Sequence, residues 1–173
     1  MKKSFSEYLE FVNTTINPDI PVERQVVCAS LSLFAAVGKL AALYELETLQ
    51  SQALCVEYVL DVCNDALCST AKLFCIANAG NTISEENFSI QIAWDILPEG
   101  KGFTAVNLTK MAHIANKNLQ DVVGSGILQR TNFYPMFNAI AAIAGEYETT
   151  QAQLTYMDLN TPIILPDVLL GNY

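Results

Sequence analysis

The sequence predicts an all-α fold, a helical bundle, and three observations carry that expectation. Apolar residues recur at three- and four-residue spacing through every long segment, as a helix with one buried side requires. Turn-forming residues gather between those segments, at Pro18 and Pro21, at Gly80-Asn81 and at Pro98-Glu-Gly-Lys-Gly102. Hydrophobic residues make up 51% of the 173, enough for one core of ordinary size. The stretch 98–102 is the clearest punctuation, so residues 1–97 and 103–173 read as two helical halves of a single domain.

In chain order, Ser4 or Ser6 caps a first amphipathic helix whose apolar side is Phe5, Tyr8, Leu9 and Val12, ending near Asn13–Asn17. Pro21 precedes a long helix over 22–50, with Val26, Val27, Leu31, Phe34, Val37, Leu40 and Tyr44. Its small residues Ala35, Ala36, Gly38, Ala41 and Ala42 permit close helix contact. The stretch 48–53 lacks a strong breaker, yet a hairpin needs a turn there, centred near Ser51. Val56–Phe74 is the next helix, stopped by Gly80 and Asn81. Thr82-x-x-Glu85 resembles a capping box and opens a short helix to about Ile96. The second half repeats the rhythm more loosely: helices over 105–123 and 132–147, and a further one from Thr149 or Thr150 to about Leu159. Gly124-Ser-Gly126 separates the first two, and the tail after Pro162 reads as irregular. Helix pair, short helix, linker, helix pair, short helix suggests an internal duplication.

Val56–Phe74 carries the most informative pattern. Glu57, Asp61 and Asp65 recur every four residues and so share one helical face, while most of the helix is apolar. A stripe of hard oxygen donors on a bundle helix is one way to build a Mg²⁺-type site. A solvated acidic face is the plainer reading. With the turn near Ser51, antiparallel packing puts Glu45 opposite Glu57, Asp61 near Ala41 or Ala42, and Asp65 near Val37 or Gly38. Lys39 is then in reach of Asp61 or Asp65 as an ion-pair partner.

Composition excludes several classes. Nine basic residues against eighteen acidic give a net charge of −9, which disfavours binding to nucleic-acid backbones. No uninterrupted apolar run approaches the roughly 18 residues of a membrane span, so no membrane association is expected. Glu7 and Glu10 break the apolar stretch that a signal peptide would need, so the expected location is cytoplasmic. Cys28, Cys55, Cys63, Cys68 and Cys75 form no C-x-x-C pair and share one histidine, so they read as small core residues rather than zinc ligands. His113, between Ala112 and Ile114, reads as a helix residue. Gly124-Ser-Gly126 lacks the strand and the longer pattern of a phosphate loop. Trp94, Phe133, Tyr134 and Phe137 read as core aromatics, and Asn107, Asn116, Asn118 and Asn138 as polar groups able to line a pocket.

Four motifs, taken in order over about residues 4–97, resemble the MazG-like all-α nucleoside triphosphate pyrophosphohydrolases. Glu7-Tyr8 through Thr14-Thr15 matches that family's opening helix. Ala36-Val37-Gly38-Lys39-Leu40 stands where its E-x-G-E-L motif falls. Glu57-Tyr-Val-Leu-Asp61-Val62 stands where E-E-x-G-D-V falls, with Tyr58 replacing the second Glu. Gly80-Asn-Thr-Ile-Ser-Glu85-Glu86 echoes the start of its short fourth helix. The resemblance implies Mg²⁺ held by carboxylates of two facing helices, and cleavage of a nucleoside triphosphate to the monophosphate and pyrophosphate. It implies Glu57 and Asp61 as metal ligands, Asp65 as an outer carboxylate, and Glu45 as a further one if the hairpin register allows. The departure falls on the second helix, which offers Ala35 or Ala36, and Lys39, where acidic residues are expected. Lys39 brings a positive charge to the cation's place, and pairing would neutralise Asp61 or Asp65. The second half offers no compensating cluster: Asp121, Glu146 and Glu148 are scattered. It reads as a stand-in for the partner subunit of simpler family members, and a homodimer stays open. The expected function is therefore Mg²⁺-dependent nucleotide binding or reduced hydrolysis. The alternative is a non-catalytic helical binding or scaffold protein derived from the same bundle.

Overall fold

The structure, a computed structural model, describes residues 5–79, 103–125 and 133–147. Five helices account for most of them, and no strand occurs among the described residues: α1 Phe5–Thr14, α2 Val22–Leu49, α3 Val56–Ala77, α4 Ala105–Ser125 and α5 Phe133–Glu146. The all-α expectation holds. The short helix expected over 82–96, the linker 98–102, the helix after Thr149 and the tail lie outside the described residues.

Four helices form a ring in the order α2, α3, α5, α4, with α1 laid against α3. The contacts fix their directions. Lys39 of α2 meets Asp65 of α3 across the hairpin. Tyr44, near the end of α2, sets its ring edge-on against Phe103, just before α4, with centroids 5.6 Å apart. Because α4 then packs along α2, the two run antiparallel. Phe133, the first residue of α5, lies edge-on to Phe74 near the end of α3 at 5.8 Å, so this pair is antiparallel too. The backbone N–H of Phe103 donates to the Glu146 carboxylate, fastening the start of α4 to the end of α5.

The core follows from the spacing of apolar residues. Leu33, Leu40, Val59, Leu67, Leu73, Met111, Met136 and Ile140 are fully or almost fully buried. At α1, Phe5, Tyr8, Leu9 and Val12 face inward, as their spacing requires. The Cys75 thiol donates to the Leu9 carbonyl at 3.5 Å, and Phe5 lies 5.2 Å from Phe137 in an edge contact. Cys63 and Cys75 are buried and Cys68 is half-buried, as small hydrophobes should be. Cys28 and Cys55 are instead exposed, because their positions fall on the outer side of α2 and at the start of α3. None of the five is in a disulfide.

Helix ends show their causes. Thr104 caps α4, its hydroxyl accepting the N–H of Asn107 at 3.3 Å. The α2 end closes over Ser51: the Gln52 N–H donates back to the Leu46 carbonyl at 3.1 Å, and Ser51 takes φ 51°. A side chain there costs about 1–2 kcal/mol relative to glycine. Ser51→Gly is therefore expected to raise unfolding stability by about 1 kcal/mol, read as a higher denaturation midpoint. An unchanged or lower midpoint would count against this turn. α4 runs to Ser125, inside the Gly124-Ser-Gly126 stretch, and Gly126 lies outside the described residues.

Of the described helices, α2 is long and apolar enough, by length and composition alone, to cross a membrane. Here 44% of its most apolar stretch is buried inside the bundle. Its outward side, where Leu31 is 55% exposed, also carries Cys28, Ala35, Gly38 and Ala42. A Cβ added at Gly38 would meet nothing within 4 Å, so that glycine serves no close contact with the described helices.

Candidate functional site

The α2–α3 hairpin places all five sequence-predicted site residues, Lys39, Glu45, Glu57, Asp61 and Asp65, on its solvent-facing side. Helical geometry explains the stripe on α3. Val59, Val62, Cys63, Ala66 and Leu67 turn into the core, which leaves Glu57, Asp61 and Asp65 along the opposite edge.

Lys39 Nζ lies 3.5 Å from Asp65 Oδ2, with the two side chains 49% and 59% exposed. Of the two partners open to Lys39, the structure selects Asp65. An antiparallel register that pairs 39 with 65 sets Asp61 level with Leu43 and Glu57 level with Glu47. The helix runs only to Leu49, and six residues, 50–55, make the connection. An ion pair this exposed is worth about 0–1 kcal/mol, so its interest is positional rather than energetic.

Glu57 has work of its own. The Cys55 thiol donates to Glu57 Oε2 at 3.2 Å. The backbone N–H at Glu57, and next that thiol, hold the carboxyl below its ordinary value, and the small cost of burial acts the other way. Glu57 therefore stays ionised at the positive end of α3, where an acidic residue stabilises the helix. Asp61 and Glu45 have no hydrogen-bond or ion-pair partner among the described residues. One turn beyond Asp61, Asn64 is only 9% exposed, and its Oδ1 accepts no hydrogen bond from the described residues. Sequence reasoning missed Asn64, although an amide inside an otherwise apolar helix was the available signal.

Among the described residues no three His, Cys, Asp or Glu side chains stand close enough to hold one ion. Asp65 faces an ammonium group, and Ala36, at the other motif position on α2, is 1% exposed and offers no oxygen. Asp61 remains as an open carboxylate, and one or two carboxylates suffice for a Mg²⁺ that arrives already bound to phosphates.

The other side-chain cluster lies where the ends of α2 and α5 meet the starts of α3 and α4. Burial pushes the Tyr147 phenol up to about 12, with Glu47, Glu146 and Cys63 adding to the effect in that order. Burial also pushes the thiols of Cys63 and Cys75 up to about 12, helped at Cys75 by Cys68. All three are neutral when protonated, and the folded chain holds their protons more tightly than the unfolded chain does. Their contribution to stability is complete below about pH 9 and is lost as pH rises towards 12. The denaturation midpoint should fall through that window, and Cys63→Ala should make the fall shallower. A midpoint that stays flat to pH 11 would contradict the burial of these groups. His113, by contrast, is exposed on α4, away from the stripe.

No protein-family model, curated protein or solved structure matches this chain.

Proposed function

We propose that the chain is a MazG-like nucleoside triphosphate pyrophosphohydrolase-fold protein that binds a Mg²⁺-nucleotide at the α2–α3 hairpin and hydrolyses it weakly. The observation that carries this reading is the contact between Lys39 and Asp65. It joins the position of the acidic motif on the second helix to the acid stripe on the third, the two helices between which that chemistry is expected. In this reading Mg²⁺ enters with the substrate as its phosphate-bound counter-ion, and Asp61 is the carboxylate open to receive it, with Glu57 one turn away. Water would attack the α-phosphorus, pyrophosphate would leave, and the monophosphate would remain. Lys39 weakens the site in two ways: it occupies Asp65, and it repels a cation placed between the helices.

A second reading has its own support. The absence of a three-residue ligand group among the described residues fits a helical binding or scaffold protein that keeps the bundle without the chemistry. Thermal unfolding with a panel of nucleoside triphosphates, with and without Mg²⁺, separates the two. The nucleotide reading expects at least one nucleotide to raise the midpoint in a Mg²⁺-dependent way that Asp61→Ala removes. No shift with any nucleotide would leave the scaffold reading.

A further inference from the structure

The outward face of α2 repeats with the period of a packed helix pair. Cys28, Leu31, Ala35, Gly38 and Ala42 follow one another at alternating three- and four-residue steps. One side of the helix therefore carries them all, and all five are exposed. No charged residue falls between Arg24 and Lys39. Less than half of the most apolar stretch of α2 is buried in the bundle, and Leu31 is 55% exposed. Glycine inside a helix costs about 1 kcal/mol relative to alanine, yet a Cβ added at Gly38 would meet nothing within 4 Å. The two ends of the face carry opposite charges. Arg24 stands seven residues before Leu31 and Glu45 seven residues after Gly38, in the same repeat.

We propose that two copies of the chain pair through this face, α2 against α2, in antiparallel orientation. A two-fold axis between Ala35 and Gly38 sets each Ala35 against the partner's Gly38, and each Leu31 against the partner's Ala42, a large side chain over a small one. The same axis brings each Arg24 within about one helical turn of the partner's Glu45, so opposite charges close both ends. A parallel pair would set Arg24 against Arg24 and Glu45 against Glu45. Side-chain size chooses a helix over a lipid surface as the occupant. Alanine and glycine offer little apolar area to lipid, and their gain comes from close backbone approach, which needs small residues at the matching positions of the other helix. A second copy has them by identity. The inference needs neither metal nor nucleotide, so it stands or falls apart from the nucleotide reading.

Sedimentation equilibrium of the full chain tests it, without metal or nucleotide and with a reductant, so that Cys28 and Cys55 form no bond between copies. The native chain should pass from monomer at about 1 µM to dimer at about 200 µM, as a single small interface allows. Leu31→Glu should weaken the dimer about tenfold by placing an unpaired charge in the seam. Gly38→Leu should weaken it about tenfold as well. At about 1 µM, however, Gly38→Leu should raise the thermal midpoint by about 2 °C, because leucine is the better helix former and has open space in the monomer. Arg24→Glu and Glu45→Arg should each weaken the dimer about fivefold, and the two together should recover most of that loss. A native chain still monomeric at about 200 µM would overturn the proposal. So would a dimer that survives both Leu31→Glu and Gly38→Leu, or a double charge swap no better than its single changes. Co-sedimentation with phosphatidylcholine vesicles that Leu31→Glu abolishes would overturn it too, because lipid would then cover the face.

Discussion

Lys39→Glu is expected to turn an indifferent surface into a metal-responsive one. Lys39 Nζ stands 3.5 Å from Asp65, and Asp61 lies one turn back along α3. Reversing the charge at position 39 places a carboxylate on the opposing helix beside Asp65, with Asp61 one turn further along the stripe. Without metal, the new like-charge contact should lower stability by a few tenths of a kcal/mol, because every partner is exposed. With Mg²⁺ the new carboxylate, Asp65 and Asp61 one turn away supply hard oxygens from two facing helices, the arrangement a hydrated divalent ion accepts. A site filled to about a hundred times its dissociation constant adds about 2.7 kcal/mol, which for a chain of this size means roughly 5–10 °C in the midpoint. The native chain should move by less than about 1 °C, and Lys39→Ala should fall between the two. A folded Lys39→Glu variant indifferent to Mg²⁺ and Mn²⁺ would show that position 39 does not face the carboxylate stripe.

Phe137→Ala should give the largest loss of stability. Phe137 is completely buried and joins three helices: its ring meets Phe5 of α1 at 5.2 Å and Phe74 of α3 at 6.3 Å. Truncating such a side chain removes its transfer energy and leaves a cavity, together about 3–5 kcal/mol. The thermal midpoint should fall by about 10 °C, whereas Leu31→Ala on the open side of α2 should change it by less than about 2 °C. A cost below about 1 kcal/mol for Phe137→Ala would mean that α1 and α5 do not share a core. The comparison also separates the two kinds of apolar residue on this chain. Phe137 is held by neighbours on every side, and Leu31 is 55% exposed.

Helix positions were legible because burial imposes a period on the sequence. Phe5, Tyr8, Leu9 and Val12 had to share a side, and all four are buried. Pro21 had to precede a helix rather than interrupt it, and α2 begins at Val22. The hairpin register was harder to read, since nothing in 48–53 names its own turn. The left-handed residue is Ser51 rather than a glycine, and local propensity does not announce such a position. Asp61 and Asp65 lie one turn apart on the same face, so spacing alone left Lys39 undecided between them until the contact with Asp65 was seen.

The acid stripe shows the same limit from another side. Its shared face was readable from a four-residue spacing, but the separate duties of its members were not. Glu57 serves the start of its own helix through Cys55 and the backbone, which becomes visible only once α3 is known to begin at Val56. Asp65 is occupied by a residue 26 positions away, and Asp61 alone is left open. The Gly124-Ser-Gly126 stretch was readable as punctuation, and α4 runs to Ser125 within it. Buried Asn64 and the buried Ser30 hydroxyl, neither with a described partner, interrupt faces that the pattern treats as uniformly apolar or small.

Phosphorus-31 detection of product from a panel of nucleoside triphosphates, incubated with the native chain and Mg²⁺, tests the central claim most directly. The expected result is slow release of pyrophosphate with the monophosphate as co-product, abolished by Asp61→Ala and accelerated by Lys39→Glu. Release of inorganic phosphate from the γ-position, or identical traces from the native chain and Asp61→Ala, would contradict it.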